Sequence, residues 1–207
     1  MFLNYATREL NLKIVYYGPG LAGKTSNVKY IHRRLAKPTK LITLETESER
    51  TLFFDFLPVD AGTINGFSIR LRLYTVPGQI FYMSTRRLVM RAADGIVFVA
   101  DSQEPAMDRN LESLENLEED MESYGYALDR HPRVIQYNKR DAPTALGLGV
   151  MRDLLNKRGL PEHPAVALIG EGVFSTLKDI TRIVLADVRR QMRAGSAPRP
   201  PARPRAS

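Results

Sequence analysis

The sequence predicts an α/β fold, in which helices cover both faces of a mostly parallel six-stranded sheet with one antiparallel strand. Short runs of β-branched and aromatic residues alternate with longer segments of helical period, as in βαβ units. Two of the runs, Gly95–Asp101 and Pro132–Asn138, are almost continuously apolar, which is typical of central strands buried on both faces. With 207 residues and 43% hydrophobic content, the chain can close one sizeable core around this sheet.

The first half of the chain predicts three strands and one helix. Asn11–Tyr17 is the first strand, because its aliphatic residues lead into a glycine-rich loop, and a helix follows from about Lys24 to Leu35. Leu52–Val59 and Phe67–Tyr74 are the second and third strands. The intervening Asp60–Gly66 contains Asn-Gly, a strong hairpin signal, so this hairpin supplies the antiparallel strand.

The second half predicts the two central strands named above, a shorter sixth strand at Ala165–Ile169, and four helices. The helices are expected near Arg86–Arg91, Asn110–Tyr124, Val150–Lys157 and Phe174–Arg193. The acidic residues of the second of these, Asp120 among them, predict a solvated helix face. Residues 194–207 contain proline, arginine and small residues but no core-forming side chain, which predicts a disordered tail after a folded domain at residues 1–193.

Composition narrows the class of protein. The chain has no cysteine, which excludes disulfides, thiolate zinc sites and cysteine lipidation and fits a cytoplasmic protein. The N-terminus lacks the pattern of a signal peptide, and no apolar stretch approaches the roughly 18 residues that a membrane span needs. The tail contributes three arginines to the net charge of +7, which leaves +4 for residues 1–193. Such a domain is only mildly basic, so nucleic acid is not an expected partner.

The glycine-rich loop after the first strand has the spacing of a phosphate-binding loop. Its residues are Gly18, Pro19, Gly20, Leu21, Ala22, Gly23, Lys24 and Thr25. In this motif the backbone N–H groups form an anion nest, the lysine reaches the β- and γ-phosphates, and the threonine hydroxyl ligates Mg²⁺. A glycine-rich turn at the start of a helix is the alternative, but the preceding strand and following helix favour a nucleoside triphosphate site.

The segment Asn138-Lys139-Arg140-Asp141, at the end of a predicted central strand, indicates which base is bound. The carboxylate of Asp141 can accept hydrogen bonds from N1 and the exocyclic N2 of guanine, a pattern that adenine does not offer, while the stem of Lys139 covers the ring. The same residues would also suit a polar strand-to-loop turn. Their position at the carboxyl end of a parallel strand favours GTP and GDP, with a second base loop expected near Ala167.

With these motifs in place, the chain resembles the MglA family, the bacterial Ras-like GTPases that control cell polarity and gliding motility. Five collinear stretches within residues 1–193 carry the resemblance, and they are Lys13–Leu21, Arg50–Pro58, Leu73–Gln79, Val97–Ser102 and Gln136–Asp141. Thr75–Gln79 is especially specific, because most Ras-like proteins have aspartate at the position of Thr75. The resemblance implies a Ras-like P-loop GTPase fold and a GTP-hydrolysing switch with a low intrinsic rate.

The resemblance also implies roles for four residues around the phosphates. Gly78 senses the γ-phosphate through its backbone N–H, and Gln79 orients the attacking water. Arg50 is similar to the family's internal arginine, which neutralises charge developing on the transferred phosphate, with a solvated loop arginine as the alternative. Thr51 corresponds to the switch threonine near Mg²⁺.

Thr75 raises the question of how Mg²⁺ is held. The aspartate that is usual at this position binds a magnesium-bound water, and a threonine brings no negative charge for that water. Asp55, on the neighbouring predicted strand, is the candidate to replace it through a water. A solvent-facing carboxylate on an edge strand is the alternative role for Asp55.

The resemblance implies two kinds of partner, a roadblock-domain GTPase-activating protein of the MglB type and effectors that bind the switch surface. We expect a cytoplasmic protein that is monomeric alone and is recruited to a cell pole. Two other functions stay open at this point: a GTP-binding adaptor with negligible hydrolysis, and a P-loop phosphotransferase that uses ATP. Leu168 and Ile169 are apolar where family members have a polar pair, which leaves a change in guanine affinity or partner choice open.

Overall fold

The structure is a computed structural model that describes six stretches of the chain. These are residues 2–35, 41–43, 55–64, 66–77, 83–126 and 130–193. Within them, eight strands form one sheet and five α-helices pack against it. The predicted tail, residues 194–207, lies outside the described residues.

The sheet is mostly parallel. Its strands are β1 (Phe2–Asn4), β2 (Glu9–Tyr17), β3 (Ile42–Thr43), β4 (Asp55–Ile64), β5 (Phe67–Thr75), β6 (Gly95–Asp101), β7 (Arg133–Asn138) and β8 (Glu162–Pro164). They lie in the order β3-β4-β5-β2-β6-β7-β8, with β1 paired antiparallel to β2. β2 runs parallel to β5 and β6, and β7 and β8 continue in the same direction, whereas β4 is antiparallel to both of its neighbours.

Helices cover both faces of the sheet. They are α1 (Lys24–Arg34), α2 (Met83–Met90), α3 (Met107–Ser123), α4 (Leu148–Leu155) and α5 (Val173–Arg193). Successive side chains of a strand point to opposite faces, so β2 serves two hydrophobic cores. Leu12 and Ile14 pack with α1 and α5, whereas Val15 and Tyr17 pack with α2, α3 and α4. Among the described helices, none is both long and apolar enough to cross a membrane.

The predicted α/β architecture is confirmed, and the observed elements lie close to their predicted bounds. β6 has the predicted bounds, and β7 begins one residue after its prediction. The predicted hairpin is present, because β4 and β5 pair antiparallel and Gly66, with φ of +80°, lies directly before β5. β4 continues to Ile64 instead of ending at Val59, with a register shift between Asp60 and Thr63 that lets it follow β5 to the turn.

Two features of the sheet differ from the prediction. The expected sixth strand at Ala165–Ile169 is instead a turn, because Val166 donates its N–H to Glu171 O at 3.0 Å and its own carbonyl accepts the Gly170 N–H at 3.0 Å. Gly170 has φ of +89°, a left-handed conformation that suits glycine and closes this turn. The last strand is β8, just before it, and the short strands β1 and β3 raise the number from six to eight.

Candidate functional site

The candidate site lies where several parallel strands end on one edge of the sheet. β2, β5, β6 and β7 all run in the same direction, so the loops that follow them meet at this edge. Open α/β sheets bind ligands at the carboxyl ends of their strands, where the strand order reverses. The predicted phosphate loop after β2 and the predicted base segment after β7 are therefore brought together, although they are more than one hundred residues apart.

The phosphate loop is packed so closely that two of its glycines cannot be replaced by a residue with a Cβ atom. A Cβ atom on Gly18, which has φ of +140°, would lie 2.1 Å from Val99 O on β6. A Cβ atom on Gly23, with φ of +100°, would lie 2.1 Å from Asn138 Nδ2. Neither neighbour can move away cheaply, since one is strand backbone and the other is a buried amide. The loop is thus held against the ends of β6 and β7.

Lys24 begins α1 directly behind this loop and is almost completely buried. Its Nζ donates to Gly18 O at 2.8 Å and to Pro19 O at 2.6 Å. Gly23, the residue before the helix, has no side chain with which to cap it, and the first turn contains no acidic residue. A lysine, the first N–H groups of a helix and glycine backbone at one point are a donor set that suits a polyphosphate.

Asn138 connects the phosphate loop to the loop after β8. Its Nδ2 donates to Ala22 O at 2.7 Å, and its Oδ1 accepts the Ala167 N–H at 2.9 Å. The side chain is buried, so both hydrogen bonds are protected from water. Asn138 and Ala167, two of the predicted guanine-binding residues, are therefore adjacent in the structure, and Asn138 holds two loops in place.

Lys139 and Asp141 follow Asn138 in a sharp turn. Lys139 has φ of +63°, and its Nζ donates to Asp101 Oδ2 at 2.7 Å at the end of β6. Asp141 is exposed at the same edge, which leaves its carboxylate accessible to a ligand. The predicted base residues thus lie at the carboxyl ends of β6 and β7. Asn138 is buried, Lys139 is half-buried and Asp141 is exposed.

The loop after β8 exposes two large apolar side chains beside this site. Leu168 is 76% exposed and Ile169 is 68% exposed, whereas Ala167 is buried. Both lie within the turn that hydrogen bonds between Val166 and Glu171 close. These are the two residues of this loop for which the family resemblance led us to expect a polar pair.

The residues around the predicted magnesium site are only partly described. Thr25 is the second residue of α1, and Thr75 is buried at the end of β5. Phe56 of β4 pairs with Tyr74, and continuing this antiparallel register brings the backbone of Asp55 opposite Thr75. Within the described residues, no group of three or more His, Asp or Glu side chains could hold a metal ion. The structure does not describe four residues with predicted roles, Arg50, Thr51, Gly78 and Gln79. The side chain of Asp55 also lies outside the described part of the structure.

Asp101 and Asn110 are site residues to which the sequence patterns assigned no role. Asp101 binds Lys139, and Asn110 of α3 binds the backbone N–H and carbonyl of Asp101 at 3.0 and 2.8 Å. One signal was available, since Asp101 is a charged residue that ends an otherwise apolar strand. Nothing in the local sequence pairs it with Lys139, which is 38 residues away.

Comparison with known proteins gives one strong similarity. The chain is 54% identical over 191 residues to the mutual gliding-motility protein MglA of Myxococcus xanthus strain DK1622. The similarity covers 91% of this chain and 98% of that protein. No protein-family model matches the chain.

Proposed function

The chain belongs to the MglA family of Ras-like small GTPases, and we propose that its GTP and GDP site is formed by residues 18–25, Asn138, Lys139, Asp141 and Ala167. As a member of this family it is a small GTPase that regulates gliding motility and cell polarity, and the reaction is hydrolysis of GTP to GDP and phosphate. The observation that carries the proposal is the Asn138 bridge, which joins the phosphate loop to the predicted base loop.

The phosphates bind in the loop between β2 and α1. Its backbone N–H groups and the N-terminus of α1 provide partial positive charge, and Lys24 adds a full charge. The ammonium of Lys24 already points into the loop, where it is held by Gly18 O and Pro19 O. Mg²⁺, when bound, neutralises charge on the phosphate oxygens, and the hydroxyls of Thr25 and Thr51 are the ligands we assign to it, with Asp55 acting through a water.

Guanine binds against the turn after β7. The exposed carboxylate of Asp141 accepts hydrogen bonds from N1–H and the exocyclic amine, and the Lys139 stem lies over the ring. Ala167 contributes backbone close to the base, because its N–H is bound to Asn138. This arrangement favours guanine nucleotides over ATP, which argues against the phosphotransferase alternative.

Hydrolysis depends on residues outside the described structure. We assign Gln79 to orienting water, Gly78 to contacting the γ-phosphate and Arg50 to stabilising charge in the transition state. A roadblock-domain partner of the MglB type accelerates the reaction, and effectors bind the GTP form. Without these partners the protein is a cytoplasmic monomer, and it is recruited to a cell pole. These assignments are supported by the family, whose resemblance extends through Arg50–Pro58 and Leu73–Gln79.

An Asp141→Asn variant tests the nucleotide site. An amide at this position cannot accept both donors of guanine but can donate to the O2 of xanthine, so GDP affinity should fall by about 10²–10⁴-fold while XDP affinity rises. Competition binding with GDP, XDP and ADP measures this exchange. Asp153→Asn, an exposed carboxylate on α4, is the matched control and should leave all three affinities unchanged. Unaltered GDP binding by Asp141→Asn, or preferential ADP binding by the wild type, would refute the guanine site.

Gln79→Leu and Arg50→Ala test the roles assigned to hydrolysis. Each should keep GDP affinity within about threefold of wild type and reduce partner-stimulated GTP hydrolysis by at least about 10²-fold, since charge stabilisation and water positioning act in the transition state. Single-turnover assays with and without an MglB-type partner provide the rates. Stimulated rates equal to those of wild type would remove the two assignments.

A further inference from the structure

We propose that Asp101 is a positioning residue for guanine recognition, which orders the Lys139 side chain without touching the nucleotide. This inference rests on the guanine site proposed above. Asp101 ends β6, directly opposite Asn138 in the parallel register with β7, so it lies beside the base segment. Its carboxylate is the acceptor for the ammonium group of the residue that covers the ring.

The ion pair between Asp101 and Lys139 is short and shielded. Lys139 Nζ lies 2.7 Å from Asp101 Oδ2, and the side chain of Asp101 is only 3% exposed, against 32% for Lys139. A buried carboxylate needs a partner, because taking its charge out of water is costly. Charge-assisted hydrogen bonds are also stronger than neutral ones. The carboxylate side of the contact is therefore shielded from water, in contrast to a surface ion pair.

Asp101 is itself held by two further residues, Asn110 and Gln103. The buried Asn110 accepts the Asp101 N–H through Oδ1 and donates to the Asp101 carbonyl through Nδ2, which clamps the end of β6 to α3. The second carboxylate oxygen, Oδ1, accepts the Gln103 N–H at 3.1 Å. Both oxygens and both backbone groups of Asp101 are thus used, and the acceptor offered to Lys139 has a fixed position.

A fixed acceptor matters because a free lysine side chain has large rotamer freedom. The backbone of Lys139 is also unusual, with φ of +63° at the end of β7. Tying the ammonium to β6 stretches the four-carbon stem across the gap between the two strand ends, where the base is proposed to bind. The Lys139 side chain is then already ordered before the nucleotide binds, so the entropy cost of ordering it does not weaken binding.

The test is a double-mutant cycle on GDP release, measured with N-methylanthraniloyl-GDP at constant Mg²⁺. Asp101→Asn keeps the shape of the side chain but weakens the tie, and Lys139→Met keeps the apolar stem but removes the ammonium. Each should accelerate dissociation by roughly three- to tenfold, the loss expected when one flexible side chain is ordered only on binding. The double variant should release GDP no faster than the faster single variant, because both changes remove the same contact.

Asp120→Asn is the matched control. Asp120 is a second carboxylate that is 3% exposed and bound by cationic side chains, Arg86 and Arg87, but it lies away from the base segment. GDP release by Asp120→Asn should stay within about twofold of wild type. Equal acceleration of GDP release by Asp101→Asn and Asp120→Asn would mean a general loss of packing and would overturn the proposal. Additive effects of Asp101→Asn and Lys139→Met, or no effect of Asp101→Asn, would also overturn it. If wild type does not prefer GDP to ADP, the proposed function fails instead.

Discussion

Asn138 has to be an asparagine because its side-chain amide binds a backbone carbonyl and a backbone N–H at the same time. Its amide donates to the Ala22 carbonyl and accepts the Ala167 N–H, while its own carbonyl accepts the Ser102 N–H at 2.9 Å. A carboxylate in the same place would only accept, and a shorter hydroxyl would not reach both groups. The asparagine therefore stabilises the site in addition to any contact with the base.

An Asn138→Ala variant should lower both stability and nucleotide affinity. It leaves the Ala22 carbonyl and the Ala167 N–H buried without their partner, which should reduce the free energy of unfolding by about 2–4 kcal/mol. Urea unfolding with GDP absent measures the stability, and GDP titration measures the affinity. Asn116→Ala is the control, because its side chain makes an exposed hydrogen bond to Glu112 O within α3. Equal stabilities for the two variants would contradict the bridging role.

At the scale of elements, Asp120 joins α2 to α3. Its carboxylate accepts hydrogen bonds from Arg86 Nε at 3.2 Å, Arg87 Nε at 3.1 Å and the Tyr17 hydroxyl at 3.3 Å. The side chains of Asp120 and Arg86 are both nearly inaccessible to solvent. The expectation that Asp120 belongs to a solvated acidic face is therefore wrong for this residue, because the packing of α2 supplies cations that the pattern of α3 alone does not reveal.

Glu162 fastens the short strand β8 to its neighbours. It accepts hydrogen bonds from Arg152 at 2.7 Å, Asn156 at 2.7 Å and the Tyr137 hydroxyl at 2.8 Å. Burial pushes the pKa of Glu162 up, but these three donors outweigh burial and leave the pKa below its usual 4.5. β8 leads directly into the loop of Ala167, so the network supports the base side of the site.

A Glu162→Gln variant should be destabilised in a pH-dependent way. At pH 7 the loss should be about 1–2 kcal/mol, because charge-assisted hydrogen bonds become neutral ones. Since the folded-state pKa is lowered, the carboxylate contributes its stabilisation above about pH 4.5 and loses it as the pH falls through the folded-state pKa. The difference between variant and wild type in urea unfolding should therefore narrow in acid. Glu112→Gln, on the exposed side of α3, controls for loss of surface charge, and a difference that widens in acid would exclude this account.

At the scale of the whole molecule, the sheet separates two cores and places the site at the edge of one of them, to which Ala22 and Ala167 belong. One core lies under α1 and α5, and the other lies under α2, α3 and α4. The site occupies the edge where β2, β6 and β7 end, so the exposed residues of its loops can differ in sequence without disturbing either core. Leu168 and Ile169 are an example, since both are exposed beside the site whereas Ala167 of the same loop is buried.

Removal of residues 194–207 tests the predicted domain boundary. The buried residues of α5, which include Ile180, Val184 and Val188, all precede this segment, so the truncated chain should keep its melting temperature and its GTP hydrolysis rate. Truncation after Leu185 is the contrasting variant, because it removes Val188 and should cost about 1.5–3 kcal/mol. Thermal unfolding of both truncations measures the effect, and equal losses would move the boundary of the folded domain into the tail.

The sequence by itself determined the architecture and the two binding motifs, because these depend on local chemistry. Apolar runs such as Gly95–Asp101 predict buried strands from composition alone, and the glycines at 18 and 23 are needed by the conformation of their own loop. Asn138–Asp141 likewise carries its chemistry within four residues. Family resemblance added Gln79 and Arg50, which lie outside the described residues and stay predictions.

Only the tertiary structure decided which residues support those motifs. The tie between Asp101 and Lys139 and the bridge from Asn138 to Ala22 join residues 38 and 116 positions apart. The first contact follows from the parallel register of β6 and β7, and the second also needs the pairing of β2 with β6. The turn at Ala165–Ile169 has the apolar composition of a strand, yet backbone hydrogen bonds across Val166 and Glu171 determine its shape. Local sequence predicts which segments are buried and whether they form strands or helices. Contacts between distant residues depend on how the whole sheet is assembled.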